Sequence, residues 1–264
     1  MPSNLLKYLP SSYSVTGDIA IFHKLPKQLE NYKQLIGQTT IGLDPRVNVV
    51  IEQITTETIF RKPVINLISG EKRTTTIHHE FHTIFNIDVS KITFSPGNKG
   101  ERERLLRLVQ DNEVIIDMFA CIGNLSLPIA VNKPEVTVYG IEINKKAYDY
   151  LIKNIHANKV EKRYIPIFGD NRLKTPENGA SRVLMGCFKI DQKQFDKAVN
   201  AIHKEGWIHY HSTAPRNENE QLEKFVEKMQ EILSFKIQLL STRRVKKFSP
   251  RLYHLCTDIY IEKL

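Results

Sequence analysis

Three cysteines among 264 residues, Cys121, Cys187 and Cys256, are an odd number, widely spaced, with no Cys-x-x-Cys among them. That excludes a disulfide framework and a zinc ribbon and fits a reducing cytoplasm, the expected compartment. No apolar run approaches the roughly 18 residues a membrane span needs, so no membrane partner is expected. The N-terminal MPSNLLKYLPSSYS has no basic region followed by an apolar core, which argues against a secretory leader. Glycine is scarce, 12 residues in all, and no Gly-x-Gly-x-x-Gly occurs, so the loop that cradles a pyrophosphate is missing. His-Glu-x-x-His is absent too. The run His78-His79-Glu80-Phe81-His82 has other spacing and lies in a β-alternating stretch, and no metal is expected.

What is present is an ordinary globular composition, 41% hydrophobic and 25% charged, enough for one large core or two modest ones. The net charge of +9 is lopsided: residues 1–90 carry +1 and residues 91–264 carry +8. Arg243, Arg244, Lys246, Lys247 and Arg251 place five cations in nine positions with no acid between them. Such a patch draws polyphosphate backbones by Coulomb steering and counterion release, and a solvated basic face is the bland alternative.

Periodicity predicts a small α+β domain over 1–91. It holds strands at Gly17–Phe22, Val47–Gln53 and Pro63–Ile68, a helix from Leu29 to Leu43, and a strand or hairpin over Thr74–Val89. A second domain, 92–264, alternates short apolar strands with helices. The helices are Asn98–Gln110, one beginning near Asn124–Ser126, Lys145–Asn158, Gln192–Lys204 and Asn219–Leu233. The strands are Val114–Ile116, Thr137–Ile143, Tyr164–Phe168, Val183–Met185 and Trp207–His211, with Lys236–Leu240 and His254–Ile259 closing the chain as an antiparallel pair. That rhythm means α/β architecture, a parallel doubly wound sheet with helices on both faces.

Three acids then fall at successive strand ends: Asp117, Glu142 and Asp170. Ligands of open parallel sheets sit outside those ends, near the first crossover. A nucleoside there needs a turn small enough to approach, from Ala120 and Gly123, and a carboxylate for its ribose hydroxyls, Glu142. Asp170 or Asn171 would read its base edge, and helix amides from Asn124 would point at it. Phe119 and Ile143, beside these ends, complete the expected cofactor-binding set. NAD also uses an acid on strand two, yet the turn Asp-Met-Phe-Ala-Cys-Ile-Gly has one glycine and suits a cofactor without a pyrophosphate, such as S-adenosylmethionine.

DMFACIGNLSLPIA, YGIEINKKAYDYLIKNIHANKV and GDNR, with FSPGNKGERERL upstream and ASRVLMGCFKIDQKQF and GWIHYHSTAP downstream, resemble the archaeal and eukaryotic tRNA guanine-37 modifying enzymes. That family comprises the N1-methyltransferases and the wybutosine-synthesizing protein 2 group. The resemblance implies a Rossmann-like class I S-adenosylmethionine-dependent fold and a tRNA substrate. The N1-methyltransferases carry Asn-Pro-Pro or Asn-Leu-Pro at the end of strand four, where this chain reads Leu184-Met185-Gly186-Cys187. With Asp170-Asn171-Arg172, this favours the wybutosine group, which moves the 3-amino-3-carboxypropyl chain to a tricyclic guanosine in tRNA-Phe and releases methylthioadenosine. By analogy, Ser95 and Arg102 hold the methionine arm, Arg102 as a bidentate carboxylate clamp. Glu101 matches an acid of the methyltransferase pattern and is either a base or a first-turn acid favoured by the helix dipole. Phe119, Phe188 and Tyr210 are candidates to stack on a base or to pack in the core, and His209 and His211 share one strand face. A methyltransferase acting on guanosine 37 or its tricyclic derivative is the alternative enzyme; an RNA-binding protein with a dead cofactor fold is the non-enzymatic one.

Overall fold

The computed structural model describes residues 1–57, 62–214, 235–247, 249 and 251–263. The helix expected over Asn219–Leu233 lies outside them, as do Phe248 and Pro250 of the basic stretch. The chain divides into two compact units, Met1–Glu80 with Ile84–Pro96, and Phe81–Thr83 with Gly97–Leu264.

In the first unit a four-stranded sheet takes the spatial order β1 (Ser14–Thr16), β2 (Ile19–His23), β3 (Val49–Glu57), β4 (Lys62–Gly70). β2 and β3 are parallel, and a parallel pair needs a crossover, here containing α1 (Lys33–Leu43). The helix expected from Leu29 therefore starts later. Lys27–Tyr32 is a 3-10 turn, and Tyr32 at φ −111° interrupts the helical path. Ala20, Phe22, Leu29, Ile36 and Val50 form this unit's core. Thr74–Val89 is a two-stranded ribbon of β5 (Thr75–Glu80) and β6 (Thr83–Asp88).

In the second unit, in chain order, come α2 (Lys99–Leu108), β7 (Val114–Asp117), α3 (Leu127–Asn132), β8 (Thr137–Glu142), α4 (Lys145–Ala157), β9 (Tyr164–Phe168) and α5 (Asn171–Lys174). β10 (Ala180–Met185), α6 (Gln192–Ala201), β11 (Ile202–Ala214), β12 (Phe235–Lys247) and β13 (Tyr253–Lys263) follow. They build a seven-stranded sheet in the order β12-β13-β11-β10-β7-β8-β9. The five strands β7 to β11 are mutually parallel, and β13 runs antiparallel to both β11 and β12. The order turns back on itself around β7, which is where such sheets open a crevice. Ile116, Ile141, Val183, Met185, Phe195 and Ile259 are buried in one cluster, the near-continuous apolar content of strands covered on both faces.

Further boundaries differ from expectation in the second unit. α6 stops at Ala201 instead of continuing to Lys204, because the carbonyls of Asn200 and Ala201 accept from the N–H groups of Asn178 and Gly179, at 3.0 Å each, just before β10. Ile202, fully buried, then opens β11 against Ala180. The helix after the glycine turn begins at Leu127, one residue past the expected Asn124–Ser126, since residues 121–126 are spent in turns and the Ser126 hydroxyl is committed to Asp117. β12 extends to Lys247, so four of the five clustered cations lie on a strand at the sheet edge. Among the described residues no helix is long and apolar enough to cross a membrane.

Candidate functional site

At the tip of β7, Asp117 is buried to 1% exposure. Its carboxylate accepts from the Phe119 N–H at 3.1 Å and the Ser126 hydroxyl at 2.7 Å. Burial pushes its pKa up to about 6. The Ser126 hydroxyl also meets Tyr164 at 2.7 Å, so Asp117 braces the following turn from beneath. That turn is tight: the Gly123 N–H donates to the Ala120 carbonyl at 2.7 Å, and the Ala120 N–H to Ile141 at 3.0 Å. Gly123 sits at φ +91°, where a Cβ would lie 2.6 Å from Leu127 Cβ. Glycine is required there. Cys121, at φ +53°, takes a left-handed conformation without glycine's freedom.

The turn delivers the Cys121 N–H to Glu142 Oε2 at 2.8 Å, while the Asn144 N–H reaches Oε1 at 2.6 Å. One bond per oxygen fixes the carboxylate and leaves each oxygen a second lone pair. Burial raises the pKa of Glu142. Ile143, next to it, is 45% exposed, and Phe168, its cross-strand partner at the end of β9, is 47% exposed with its ring 5.3 Å from Tyr148. Apolar side chains thus stand open to solvent beside a fixed carboxylate. Sequence reasoning named Ile143 and not Phe168; an aromatic at a strand end beside that carboxylate was the available signal.

The third tip departs from expectation. Asn171 is buried, donates to the Met118 carbonyl at 2.7 Å and accepts from Gln194 at 3.0 Å, so its amide ties β7, α5 and α6 together. Asp170 caps α5 and is clasped by Arg172 at 2.7 Å; hydrogen bonding from Arg172 lowers its pKa. Ser95 belongs to the first unit and is half-buried. Arg102 is fully buried, not a solvated helix arginine. A guanidinium is kept at such depth only where acceptors meet it.

Across the sheet from these tips lies a polar cluster that the sequence hid. Asp117, Leu184, His209, Asp258 and Ser241 occupy one row through β7, β10, β11, β13 and β12. Two residues nearer the carboxyl edge, His211, Cys256 and Arg243 form another. Glu101 of α2 reaches this second row. It is an acid in the first turn of α2, fully buried and ion-paired to Arg104 at 2.6 Å and to Arg243. Arg104 also binds Asp258 at 2.6 Å, Asp258 meets His209 Nδ1 at 2.6 Å, and Arg182 meets His209 Nε2 at 2.6 Å and Glu113 at 2.7 Å. Arginine only donates, so His209 accepts at Nε2 and carries its proton on Nδ1 toward Asp258; burial lowers its pKa. His211 Nδ1 and His254 Nε2 meet at 2.7 Å, and burial holds both rings neutral by lowering their pKa values.

Glu101, His211 and Cys256 bring ligand atoms within 4.8 Å of one another, as do His209, Cys256 and Asp258. Glu101, Asp258 and Glu113 are already matched by Arg104, Arg243 and Arg182. A cation would have to displace an arginine. In the first unit His78 accepts from the Gly17 N–H at 3.1 Å and lies 3.3 Å from Glu80.

Phe119 and Tyr210 pack, partly buried, against the core, and Phe188 sets its ring 4.7 Å from that of His254. At the tip of β10, Met185 is buried and Gly186 and Cys187 follow, so neither asparagine nor proline is offered there. The basic stretch is less uniform than its composition. Arg243 turns in to Glu101, Arg244 lies 4.4 Å from the Tyr253 ring centre, the Lys246 stem packs at Gly97, and Lys247 and Arg251 are exposed.

Residues 76–239 match the TRM5/TYW2 methyltransferase domain and residues 1–74 the TYW2 N-terminal domain. The chain is 34% identical over 255 residues to the tRNA(Phe) (4-demethylwyosine(37)-C(7)) aminocarboxypropyltransferase of Methanocaldococcus jannaschii, covering 96% of this chain and 98% of that one. It is 32% identical to the tRNA (guanine(37)-N(1))-methyltransferase Trm5b of Pyrococcus abyssi, covering 99% of this chain and 78% of that protein. The crystal structure of Pyrococcus horikoshii TYW2 in complex with MeSAdo superposes with a TM-score of 0.84 at 33% identity, covering 100% of this chain and 96% of that one. A seven-stranded sheet with an acid at its second tip and these likenesses converge: the chain belongs to the TRM5/TYW2 family of S-adenosylmethionine-dependent tRNA-modifying transferases.

Proposed function

We propose that this protein transfers the 3-amino-3-carboxypropyl group of S-adenosylmethionine to carbon 7 of the tricyclic guanosine at position 37 of tRNA-Phe, in wybutosine biosynthesis, releasing methylthioadenosine. The observation that carries the choice is the β10 tip, Met185-Gly186-Cys187, which lacks the asparagine-proline element of the N1-methyltransferases. The match to the aminocarboxypropyltransferase along nearly the full length of both chains supports it.

The residues fit the cofactor by chemistry. Its ribose brings hydroxyl donors, and Glu142 keeps a lone pair on each oxygen. Its ammonium brings N–H donors, and Asn98 Oδ1 and Asn124 Oδ1 are buried acceptors with no partner among the described residues. Its carboxylate matches the buried Arg102 guanidinium. Asp170, Phe119, Ala120, Gly123 and Ile143 complete the proposed site; Asp117 and Asn171 act beneath it by holding the turn and α5 in place.

When bound, S-adenosylmethionine supplies a sulfonium with three electrophilic carbons. Which carbon reacts depends on which is held in line with the nucleophile at about 3–3.5 Å. Fixing the amino-acid arm by its charged ends, through Arg102 and the two asparagines, presents the γ-carbon and turns the methyl aside. Residues 1–91 orient the tRNA, and Arg244, Lys247 and Arg251 meet its phosphates. Glu101 is the carboxylate proposed as the base for the ring proton.

Methyl transfer to guanosine 37 or its derivative is the second reading, favoured by the nearly equal identity to Trm5b. Precursor tRNA-Phe incubated with cofactor labelled in the carboxyl carbon or in the methyl separates the two. Carboxyl label retained in RNA supports the proposal; methyl label overturns it.

A further inference from the structure

β12 is an edge strand of the sheet, and its last turn of sequence carries Arg243, Arg244, Lys246 and Lys247. Cations on an edge strand discourage edge-to-edge pairing, and that alone accounts for several of them. Arg243 stands apart. Its side chain is 34% exposed while its guanidinium reaches the fully buried Glu101. Glu101 already has a partner in Arg104, which binds it through Nη2 at 2.6 Å and through Nε at 3.2 Å to each oxygen. Arg104 is in turn divided between Glu101 and Asp258.

Glu101 and Asp258 supply two negative charges, Arg104 and Arg243 two positive ones, and the Arg182–Glu113 pair cancels itself. His211 and His254 are held neutral by burial, and Cys256 is kept as a thiol by the same cause. Withdrawal of Arg243 leaves two buried carboxylates sharing one guanidinium. Glu101 is then the carboxylate with an exposed flank.

From this juxtaposition we propose that Arg243 is shared between the RNA and the interior. A tRNA phosphate lying along β12 competes with Glu101 for the Arg243 guanidinium, and binding of the RNA uncovers Glu101 at the carboxyl edge of the sheet. Arg243 is a positioning residue: it touches the RNA backbone and acts on the site through Glu101. Because Glu101 and phosphate compete for one group, each weakens the other's hold on it, and the coupling is reciprocal. The inference rests on the RNA-binding face proposed above.

The test is tRNA affinity, not turnover. An unmodified tRNA-Phe transcript is titrated by fluorescence anisotropy at several salt concentrations, with folding of every variant checked by thermal melting. Glu101→Gln removes the competing charge, so binding tightens on the order of fivefold, the scale of a partly exposed ion pair. The salt dependence also steepens, by up to about 0.9 in the log–log slope, as one more cation becomes free to meet phosphate. Glu101→Asp, which keeps a charge on Arg104 but shortens its reach toward Arg243, moves affinity the same way. Arg243→Ala abolishes both gains when combined with either. Affinity unchanged within twofold, or weaker, in both well-folded Glu101 variants overturns the proposal. If instead Arg244→Ala with Lys247→Ala leaves tRNA affinity and salt slope untouched, the RNA-binding face itself is wrong and the shared arginine falls with it.

Discussion

Gly123→Ala puts a Cβ where the turn has no room. The residue sits at φ +91°, and the added carbon lies 2.6 Å from Leu127 Cβ. A left-handed conformation costs an L-residue about 1–2 kcal/mol. Forcing a methyl against the start of α3 adds about 1–3 kcal/mol, since Leu127 is fully buried and its Cβ is not the loose end of a side chain. Together these predict about 2–5 kcal/mol, or a fall in Tm of roughly 5–15 °C for a unit of this size. The same turn presents the Cys121 N–H to Glu142, so displacing it also loosens the carboxylate proposed to hold the ribose. Cofactor affinity should drop at least about tenfold, which needs only 1.4 kcal/mol. The assay is calorimetric titration of S-adenosylmethionine beside a thermal melt. Gly42→Ala supplies the contrast: that glycine closes α1 with nothing within 4 Å of an added Cβ, and alanine there should be neutral or stabilising by up to about 1 kcal/mol. If Gly123→Ala melts and binds like wild type, the turn is not the strained support described.

Asp258→Ala strips a partner from both Arg104 and His209 inside the sheet and should cost about 3–5 kcal/mol by urea unfolding, with little change if the network is ornamental. The His211–His254 pair should make the protein acid-labile. Both rings are neutral when folded and take up a proton near pH 6.5 when unfolded, so stability is full above that value and falls below it, by about 1.4 kcal/mol per pH unit per ring. Replacing both with asparagine should flatten urea midpoints between pH 6.5 and 5. Asp117 works in the opposite sense: its carboxyl, raised to about 6, binds a proton in the folded state first, so Asp117→Asn should steepen the same acid loss.

Much of the sheet was legible because its strands are short apolar runs and its acids close them, patterns that one dimension preserves. The Ile202–Ala214 strand was foreshortened because His203 and Lys204, both exposed, read as the end of a helix. The cluster around Glu101 was out of reach for a different reason. Its members come from α2, β10, β11, β12 and β13, joined only by register, and no spacing in the chain connects Glu101 to Arg243 or Arg182 to His209. In the basic stretch, charge counts composition and not direction. One of its arginines points inward. Asn171 and Asp117 show a similar limit: the sequence names them as polar residues at strand tips, and does not disclose that they also hydrogen-bond to Met118, Phe119 and Ser126 beside the turn.

The decisive measurement is the binding of S-adenosylmethionine to wild-type protein and to Glu142→Ala, by isothermal calorimetry on samples matched for melting behaviour. The account predicts one site in the wild type and at least about a hundredfold weaker binding in the variant, the loss expected from two charge-assisted hydrogen bonds. Equal affinity in the two proteins would contradict it, because the sugar would then be gripped somewhere other than the second strand tip.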